Sequence, residues 1–366
     1  METSVTQYSF VSLLLLFMLC LLSFMVKVIE ASNNKVSSFY VFGDSTVDPG
    51  NNNYINTAFK SNFLPYGKDF PNQVPTGRFS NGKLATDFIA SYLGLKELLP
   101  PYLDPNLSDQ ELITGVSFAS AGSGFDPLTP TMSNVIPIPK QLENFKECKR
   151  RLEGVLGKQR TENHMKNAVF LISAGTNDFV INYFTLPIRR RSYTPLTYRQ
   201  FLLQHVKDLI QSLWTEGARK IAVVGLPPMG CLPMMITFNS GNAILDRNCV
   251  DKYSAVARDH NLVLQHELFS MQQNFSKLEG SKISYIDIYG PLANMTQAHE
   301  SLGFDVANRG CCGSGYIEAT FMCNRISYVC SDSSKYVFWD SIHPTEMTYQ
   351  KIFMTAIPSI DALINS

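Results

Sequence analysis

Five short apolar runs recur along the chain, each four residues long and rich in β-branched or aromatic side chains. They are Phe39–Phe42, Val116–Ala119, Val169–Ile172, Ile221–Val224 and Ile283–Ile286. Nearly all of them lack the polar alternation expected of a strand with one face in water. The pattern therefore predicts strands that are covered on both faces, as in a parallel sheet.

Segments of helical length separate these runs. The first predicted helix precedes Gly217 and carries an apolar stripe formed by Leu202, Val206, Leu209 and Leu213. The second runs from about Lys252 to Phe275, and its predicted core residues are Val256, Leu264 and Leu268. Strands that alternate with helices imply right-handed crossovers and an α/β fold, a three-layer α/β/α sandwich. In such sheets ligands bind beyond the carboxyl ends of the strands.

The composition argues for one balanced globular domain. The 366 residues include 31 Lys and Arg against 31 Asp and Glu, a balance that argues against nucleic acid as a partner. No Pro/Gly/Ser-rich linker, charge block or internal repeat divides the sequence. We therefore expect residues 32–366 to form a single domain with a large core.

The first residues resemble an export signal. An almost continuous apolar stretch from Phe10 to Val26 ends near a small-residue site at Ala31, which predicts a secretory signal peptide over residues 1–31. Cleavage there would leave a secreted, extracellular protein without a stable membrane span. The segment before the apolar stretch carries Glu2 and no Lys or Arg, so an uncleaved anchor is the alternative.

The cysteines fit an exported chain, in which disulfides persist. We expect the group from Cys311 to Cys330 to staple a long loop, Cys231 and Cys249 to close another, and Cys148 to remain free. The alternative for the dense group is a zinc site, but it lacks paired CxxC spacing and contains no His. No metal is predicted. Three N-glycosylation sequons are candidates, at Asn106, Asn274 and Asn294.

The end of the first predicted strand carries the first candidate for chemistry. Gly43, Asp44 and Ser45 follow the run directly, where side chains of a parallel sheet converge on one crevice. Gly43 allows a sharp turn with no Cβ in the way. Ser45 would then be exposed to whatever occupies the crevice, although Asp44 or Ser45 as a simple helix cap is the alternative.

Other strand ends add compatible groups. The second run leads to Gly122, and the third leads to Asn177, which alone would indicate a turn. Near the carboxyl terminus Asp340 stands three residues before His343, with Pro344 suited to starting a helix. At that spacing a carboxylate can hold one ring nitrogen of the imidazole, so the other can accept a proton. The alternative is a cap and a surface histidine.

Together these groups fill the roles of an acyl-transfer site. A serine nucleophile needs a base, the base needs an orienting acid, and the oxyanion needs hydrogen-bond donors. Ser45, His343 and Asp340 would supply the first three. The backbone N–H groups of Ser45 and Gly122 and the amide of Asn177 would supply the donors.

At these residues the sequence resembles the plant GDSL esterase/lipase family of the SGNH hydrolase superfamily. The shared motifs run in order through the mature chain: "FYVFGDSTVDPGNNN", "GVSFASAGSG", "SAGTNDF", "GARKIAVVGLPPMGCLP" and "FWDSIHPT". The resemblance implies that Ser45 is the nucleophile, that Gly122 and Asn177 build the oxyanion hole, and that Asp340 and His343 complete the triad. It also implies a flavodoxin-like parallel sheet and no cofactor.

Two positions depart from the family pattern. Thr46 stands where the family has the leucine that names it, and Ser117 replaces a common asparagine. Ser117 is also a rival nucleophile, because "GVSFA" nearly matches the Gly-x-Ser-x-Gly elbow. An elbow requires a strand-to-helix turn, whereas Ser117 lies inside an apolar run.

The sequence therefore predicts a secreted serine esterase or lipase that acts on a small or polymeric ester. Acyl transfer by the same triad and a non-catalytic glycan- or lipid-binding protein on this fold are the alternatives. We expect the crevice to be walled by residues of the segment from Asp48 to Phe88, among them Phe63, Tyr66, Arg78 and Phe79. Packing or a solvated rim is the alternative for these residues. The natural ester stays open.

Overall fold

Parallel strands form the central layer of the protein. The computed structural model describes residues 36–242, 244–275, 280–314, 317–319 and 323–365. The strands of the central sheet are β1 (Phe39–Gly43), β2 (Val169–Ser173), β3 (Lys220–Val224) and β4 (Lys282–Ile286). They pair in the order β1-β2-β3-β4, and every pairing is parallel. Four of the five predicted strands are thereby confirmed.

The fifth predicted strand, Val116–Ala119, is less regular than expected. It lies beside β1 with only bridge-like pairing at Ser117. The backbone hydrogen bonds are nevertheless those of a parallel neighbour, since Val41 N donates to Val116 O at 3.1 Å and Phe118 N donates to Val41 O at 2.8 Å. With this segment counted as second in sequence, the sheet has the 2-1-3-4-5 order of flavodoxin-like folds.

Helices cover both faces of the sheet. In chain order they are α1 (Ala85–Tyr92), α2 (Asp109–Thr114), α3 (Leu128–Ser133), α4 (Ile138–Leu156), α5 (Lys158–Asn167), α6 (Pro195–Thr215), α7 (Pro233–Asn239), α8 (Asp251–Phe275), α9 (Tyr289–Gln297) and α10 (Glu346–Ile364). A π-helix spans Asp178–Thr185, and short strands outside the sheet are β5 (Val306–Gly310), β6 (Cys312–Gly313), β7 (Tyr328–Val329) and β8 (Tyr336–Phe338).

The alternation of side chains along β1 explains the three layers. Tyr40 and Phe42 pack in the core cluster that contains α4, α6 and α8. Phe39 and Val41 point to the opposite face and pack in the cluster that contains α1 and α10. Because successive side chains of a strand face opposite sides, a run that is apolar throughout needs a helical layer on each side.

The two predicted helices are present, and their predicted core residues face the core, one of them only half-buried. Leu202, Val206, Leu209 and Leu213 are all buried in α6. In α8, Leu264 and Leu268 are buried, but Val256 is only half-buried. Val256 packs against the core from the edge of the apolar stripe, and Tyr253 and Ala257 lie nearer the centre of that stripe with Leu264.

Disulfides close two loops, as predicted. The pairs are Cys231–Cys249, Cys311–Cys330 and Cys312–Cys323. The four sulfurs of the dense group bond to one another, which leaves none of them as a zinc ligand. Cys148 is a free thiol in the core, and burial raises its pKa to about 12. A thiol at that value stays neutral and unreactive at physiological pH.

The predicted domain boundary lies near the start of the described residues. The predicted signal peptide over residues 1–31 is outside the described residues, so its cleavage stays a prediction. Residues from Val36 onward group into one compact unit. In the described ranges, no helix combines the length and apolarity that crossing a membrane requires.

Arg78 corrects one expectation about the crevice. Its side chain is 4% exposed and forms a bidentate ion pair with the fully buried Asp87, at 2.6 and 2.8 Å. It also donates to the carbonyls of Pro49 and Leu99. Burial of a guanidinium is tolerated when it is paired and hydrogen-bonded in this way. Arg78 therefore fastens the loop after β1 to α1 and is not a wall of the crevice.

Candidate active site

The carboxyl edge of the sheet brings the predicted site residues into one cleft. Ser45 follows β1, Gly122 follows the segment beside β1, and Asn177 follows β2. Asp340 and His343 lie between β8 and α10. All five residues line the same cleft, which has a volume of about 50 Å³. The strand order reverses between β1 and β2, and such a reversal opens a crevice at this edge.

Ser45 and His343 are in direct contact. The Nε2 atom of His343 lies 2.8 Å from the Oγ of Ser45, although the two residues are far apart in sequence. Both side chains are 7% exposed. Gly43 makes this approach possible: its φ is +147°, and a Cβ there would collide with the carbonyl of Ser173 on β2. The backbone before the serine can thus lie tightly against the neighbouring strand.

Asp340 holds the other side of the imidazole. The Nδ1 atom of His343 lies 2.8 Å from Oδ2 of Asp340, and Oδ1 accepts the backbone N–H groups of Ile342 and His343 at 2.9 and 2.7 Å. Burial acts to raise the pKa of Asp340, but His343 and these hydrogen bonds outweigh it and hold the pKa below its usual range. Asp340 is therefore a carboxylate at neutral pH.

The short link between acid and base is a closed turn. The backbone N–H of Trp339 donates to the carbonyl of His343 at 2.7 Å. Thr345 then caps α10 by accepting from Thr348 N, so the helix begins at Glu346, two residues beyond Pro344. Pro344 was predicted to start the helix, and the helix starts two residues later. The turn and the cap together fix the direction of the imidazole.

Tyr66 is a site residue whose role the sequence did not reveal. It was expected only as a wall of the crevice, but its hydroxyl donates to Oδ2 of Asp340 at 2.8 Å. Burial and the neighbouring carboxylate raise the pKa of Tyr66 well above its ordinary value, so it remains a neutral donor. The two residues are 274 positions apart. No local pattern signals a contact over that separation.

The N–H groups that the sequence predicts as oxyanion donors belong to residues of the same cleft. One hydrogen of the Asn177 amide is donated to Ser123 O at 2.9 Å, which leaves the other for the cleft. Gly122 has a φ of +85°, and a Cβ there would press on the ring of Phe59. Among the described residues, no acceptor contacts the backbone N–H of Ser45 or Gly122. These two groups are therefore available to a ligand.

Two of the three consecutive asparagines after β1 hold the Gly122 loop. Asn51 donates to the carbonyls of Ser117 and Ala119, at 2.9 and 2.8 Å. Asn52 donates to the carbonyl of Ala121 at 2.9 Å. The sequence had suggested that this stretch walls the crevice, but Asn51 and Asn52 are not among the residues that line the cleft. Their amides replace the partners that irregular, buried backbone would otherwise lack.

Asp48 reinforces the same connection. Its carboxylate accepts the backbone N–H groups of Gly50, Asn51 and Ala121 at 2.7 to 2.9 Å. Burial raises the pKa of Asp48 to about 6, against these hydrogen bonds. The loop that presents Ser45 and the loop that presents Gly122 are thereby tied through one carboxylate.

Asp178 ties the Gly122 loop to Asn177. It accepts the backbone N–H of Phe125 at 2.9 Å and the hydroxyl of Thr129. Burial raises its pKa to about 7, although those hydrogen bonds oppose the shift. Asp178 directly follows Asn177 in the chain, so two of the three predicted oxyanion donors, Gly122 and Asn177, share one support. No role for Asp178 was predicted from the sequence.

The two departures from the family pattern are structural in this molecule. Thr46 donates its hydroxyl to Oδ1 of Asp44 at 2.8 Å and contacts the Ser173 hydroxyl at 3.1 Å. Ser117 is fully buried and donates to the carbonyl of Val47 at 2.8 Å. It sits in the extended segment beside β1, not at a strand-to-helix turn. The rival assignment of Ser117 as nucleophile is therefore unsupported.

Aromatic side chains wall the cleft. Phe63, Tyr66 and Phe79 line it as expected, and Phe59 joins them. The ring of Phe79 lies 4.9 Å from that of His343, centre to centre. This contact excludes water from one face of the imidazole and restricts its rotation.

The remaining candidate sites are on the surface. The sequons at Asn106, Asn274 and Asn294 are all exposed, the latter two within α8 and α9. They stay predictions. Over the described ranges, no three His, Cys, Asp or Glu side chains are placed to hold a metal ion together.

A family model and two plant relatives match most of the chain. A family model described as GDSL-like lipase/acylhydrolase matches residues 39–356. The GDSL esterase/lipase At5g45960 of Arabidopsis thaliana is 59% identical over 333 residues, covering 91% of this chain and 88% of the relative. A second Arabidopsis relative, the GDSL esterase/lipase At1g06990, is 43% identical and covers 91% and 92% of the two chains.

Among solved structures, LAE5, an α/β hydrolase from the metagenome of Lake Arreo in Spain, covers 90% of this chain and 97% of its own. Its identity of 11% and TM-score of 0.41 are too low to support an inference. The family model spans most of the sequence, and both relatives cover nearly all of it. The chain therefore belongs to the GDSL lipase/acylhydrolase family and is a carboxylic ester hydrolase.

Proposed function

We propose that the protein hydrolyses its ester through a Ser-His-Asp triad and an acyl-enzyme intermediate. The observation that supports this most is the continuous chain from Ser45 Oγ to His343 Nε2 and from His343 Nδ1 to Asp340 Oδ2, with 2.8 Å at each step. Both distances lie in the range that proton transfer between catalytic groups requires. The order of the groups assigns their roles.

In the first half-reaction, Ser45 Oγ attacks the ester carbonyl carbon while its proton passes to Nε2 of His343. The imidazolium is stabilised by the ionised Asp340. The carbonyl oxygen becomes an oxyanion that accepts hydrogen bonds from Ser45 N, Gly122 N and the Asn177 amide. When the carbon–oxygen bond to the alcohol breaks, His343 returns the proton to the leaving oxygen.

In the second half-reaction, water replaces the alcohol. His343 takes one proton from the water, whose oxygen attacks the acyl carbon, and then gives that proton to Ser45 Oγ as the acid leaves. An acceptor alcohol in place of water gives acyl transfer through the same intermediate. A non-catalytic binding protein would show no turnover that depends on the Ser45 hydroxyl. The Ser45→Ala variant described below therefore distinguishes it from a hydrolase and from an acyltransferase.

We propose further that the protein acts outside the cell. Its support is the apolar stretch from Phe10 to Val26, three disulfides and three exposed sequons. Mass spectrometry of protein collected from the medium of a eukaryotic host reads the mature amino terminus directly. Retention of residues 1–31 would contradict the export signal.

Replacement of Ser45 by Ala should abolish turnover. We expect kcat for a short acyl ester to fall by several powers of ten, as when a triad member is removed elsewhere. The matched control is Ser117→Ala, which removes another buried serine hydroxyl and should retain wild-type kcat. Loss of turnover in Ser117→Ala alone would reverse the assignment of the nucleophile.

Replacement of Asn177 by Ala should lower kcat by about 100- to 1,000-fold, because one oxyanion donor is lost. Asn167→Ala is the control, since that amide also donates to a backbone carbonyl, Asn163 O, but precedes β2 at the opposite edge of the sheet. The measurement is the steady-state kcat of both purified variants. Equal rates in the two would remove Asn177 from the oxyanion hole.

Replacement of Tyr66 by Phe should reduce kcat about tenfold, the value of one hydrogen bond to a charged group. It should also lower the free energy of unfolding. The pKa of Asp340 is depressed in the folded state, so its stabilisation is complete above about pH 4 and is lost as pH falls through the folded pKa. The stability difference from wild type should therefore be largest near neutral pH and shrink as the pH is lowered below about 4.

Urea unfolding across that range measures the difference. Tyr328→Phe, at a tyrosine that is 68% exposed, is the control and should match wild type. A stability loss in Tyr66→Phe that stays constant with pH would assign Tyr66 to packing rather than to Asp340.

A further inference from the structure

A second cavity, of about 90 Å³, lies at the same edge of the sheet as the cleft. It is bounded by the carboxyl ends of β2, β3 and β4 on one side and by α1 and α10 on the other. The side chains that form it include Leu171, Val224, Ile286, Ile89, Ile352 and Ala356. Aliphatic and aromatic side chains make up most of the lining, and the cavity is larger than the cleft itself.

This cavity adjoins the proposed reaction centre. Asp44 and Thr46 line it, one on each side of Ser45 in the chain, and Thr176, which precedes Asn177, lines it as well. Ile342, next to His343, lines both the cavity and the cleft. The two spaces therefore meet at one half-buried aliphatic side chain.

The polar groups nearest Ser45 are satisfied within the protein. Asp44 Oδ1 accepts the N–H and the hydroxyl of Thr46, whose oxygen also contacts the Ser173 hydroxyl. Groups paired in this way do not require a polar ligand. Tyr349 differs, since it is buried and its hydroxyl has no partner among the described residues. The cavity is thus mostly apolar, and Tyr349 adds a buried hydroxyl that has no partner among the described residues.

We propose that this cavity binds the aliphatic acyl chain of the ester substrate, which passes Ile342 on its way from Ser45. The inference rests on the proposed function, because the chain is anchored there by its bond to the reacting carbonyl. An apolar cavity lined by strand ends suits a flexible alkyl chain, and a charged or sugar-like group would lose its hydration there without compensation. The substrate class is therefore an ester of an aliphatic acid longer than acetate.

If the cavity binds the acyl chain, kcat/KM should depend on the length of that acyl chain. Burial of each methylene contributes about a fourfold gain in binding when it leaves water. Part of this gain increases kcat/KM, because the acyl chain remains bound in the transition state. We expect kcat/KM to rise from acetyl through butyryl and hexanoyl to octanoyl p-nitrophenyl esters.

Ala356→Phe fills the cavity from α10 and tests its role. We expect the ratio of kcat/KM for the octanoyl ester to that for the acetyl ester to fall at least tenfold. Met354→Phe is the matched control: it adds the same side chain to the same helix at a position 61% exposed, and should keep the wild-type ratio. Ala85→Phe, at a half-buried residue of the lining, is the second variant if Ala356→Phe does not fold.

The outcomes separate the two proposals. If no ester is cleaved in a Ser45-dependent manner, the proposed triad fails. If esters are cleaved but the octanoyl-to-acetyl ratio is the same in the cavity variants, Met354→Phe and wild type, the triad stands and the cavity is a gap in packing. A wild-type preference for the acetyl ester would likewise overturn the acyl-chain assignment.

Discussion

The hydrogen bond between Ser45 and His343 is the contact on which the rest of the site depends. It joins the end of the first strand to the turn before the last helix, so it forms only when the whole sheet and both helical layers are in place. Gly43 lets the serine loop lie against β2, and the turn from Trp339 to His343 aims the imidazole. The site is thus a product of long-range packing, not of any one segment.

Buried polar groups make that arrangement rigid. Asn51, Asn52 and Asp48 bind the backbone of the Gly122 loop, and Asp178 binds the same loop from β2. Each would be costly to bury alone, but each has backbone partners, so the desolvation cost is offset. Donors held in this way do not need to reorganise when charge develops on a substrate oxygen. The raised pKa values of Asp48 and Asp178 reflect the same burial.

Much of this could be predicted from the sequence because it depends on local pattern. Apolar runs gave the strands, and residues directly after them gave Ser45 and Asn177. What escaped prediction depends on contacts between distant segments. Tyr66 reaches Asp340 and Arg78 reaches Asp87 through the path of a long loop. Neither partner could be chosen without coordinates. The second cavity likewise arises from the ends of three strands and from two helices at once.

The central claim is that Ser45 is an activated nucleophile, and covalent trapping tests it most directly. A fluorophosphonate probe should label the wild-type protein on the peptide that contains Ser45, and mass spectrometry should locate the adduct on that hydroxyl. His343→Ala should lose the labelling while remaining folded by circular dichroism. Unlabelled wild-type protein, or an adduct on another serine, would contradict the account.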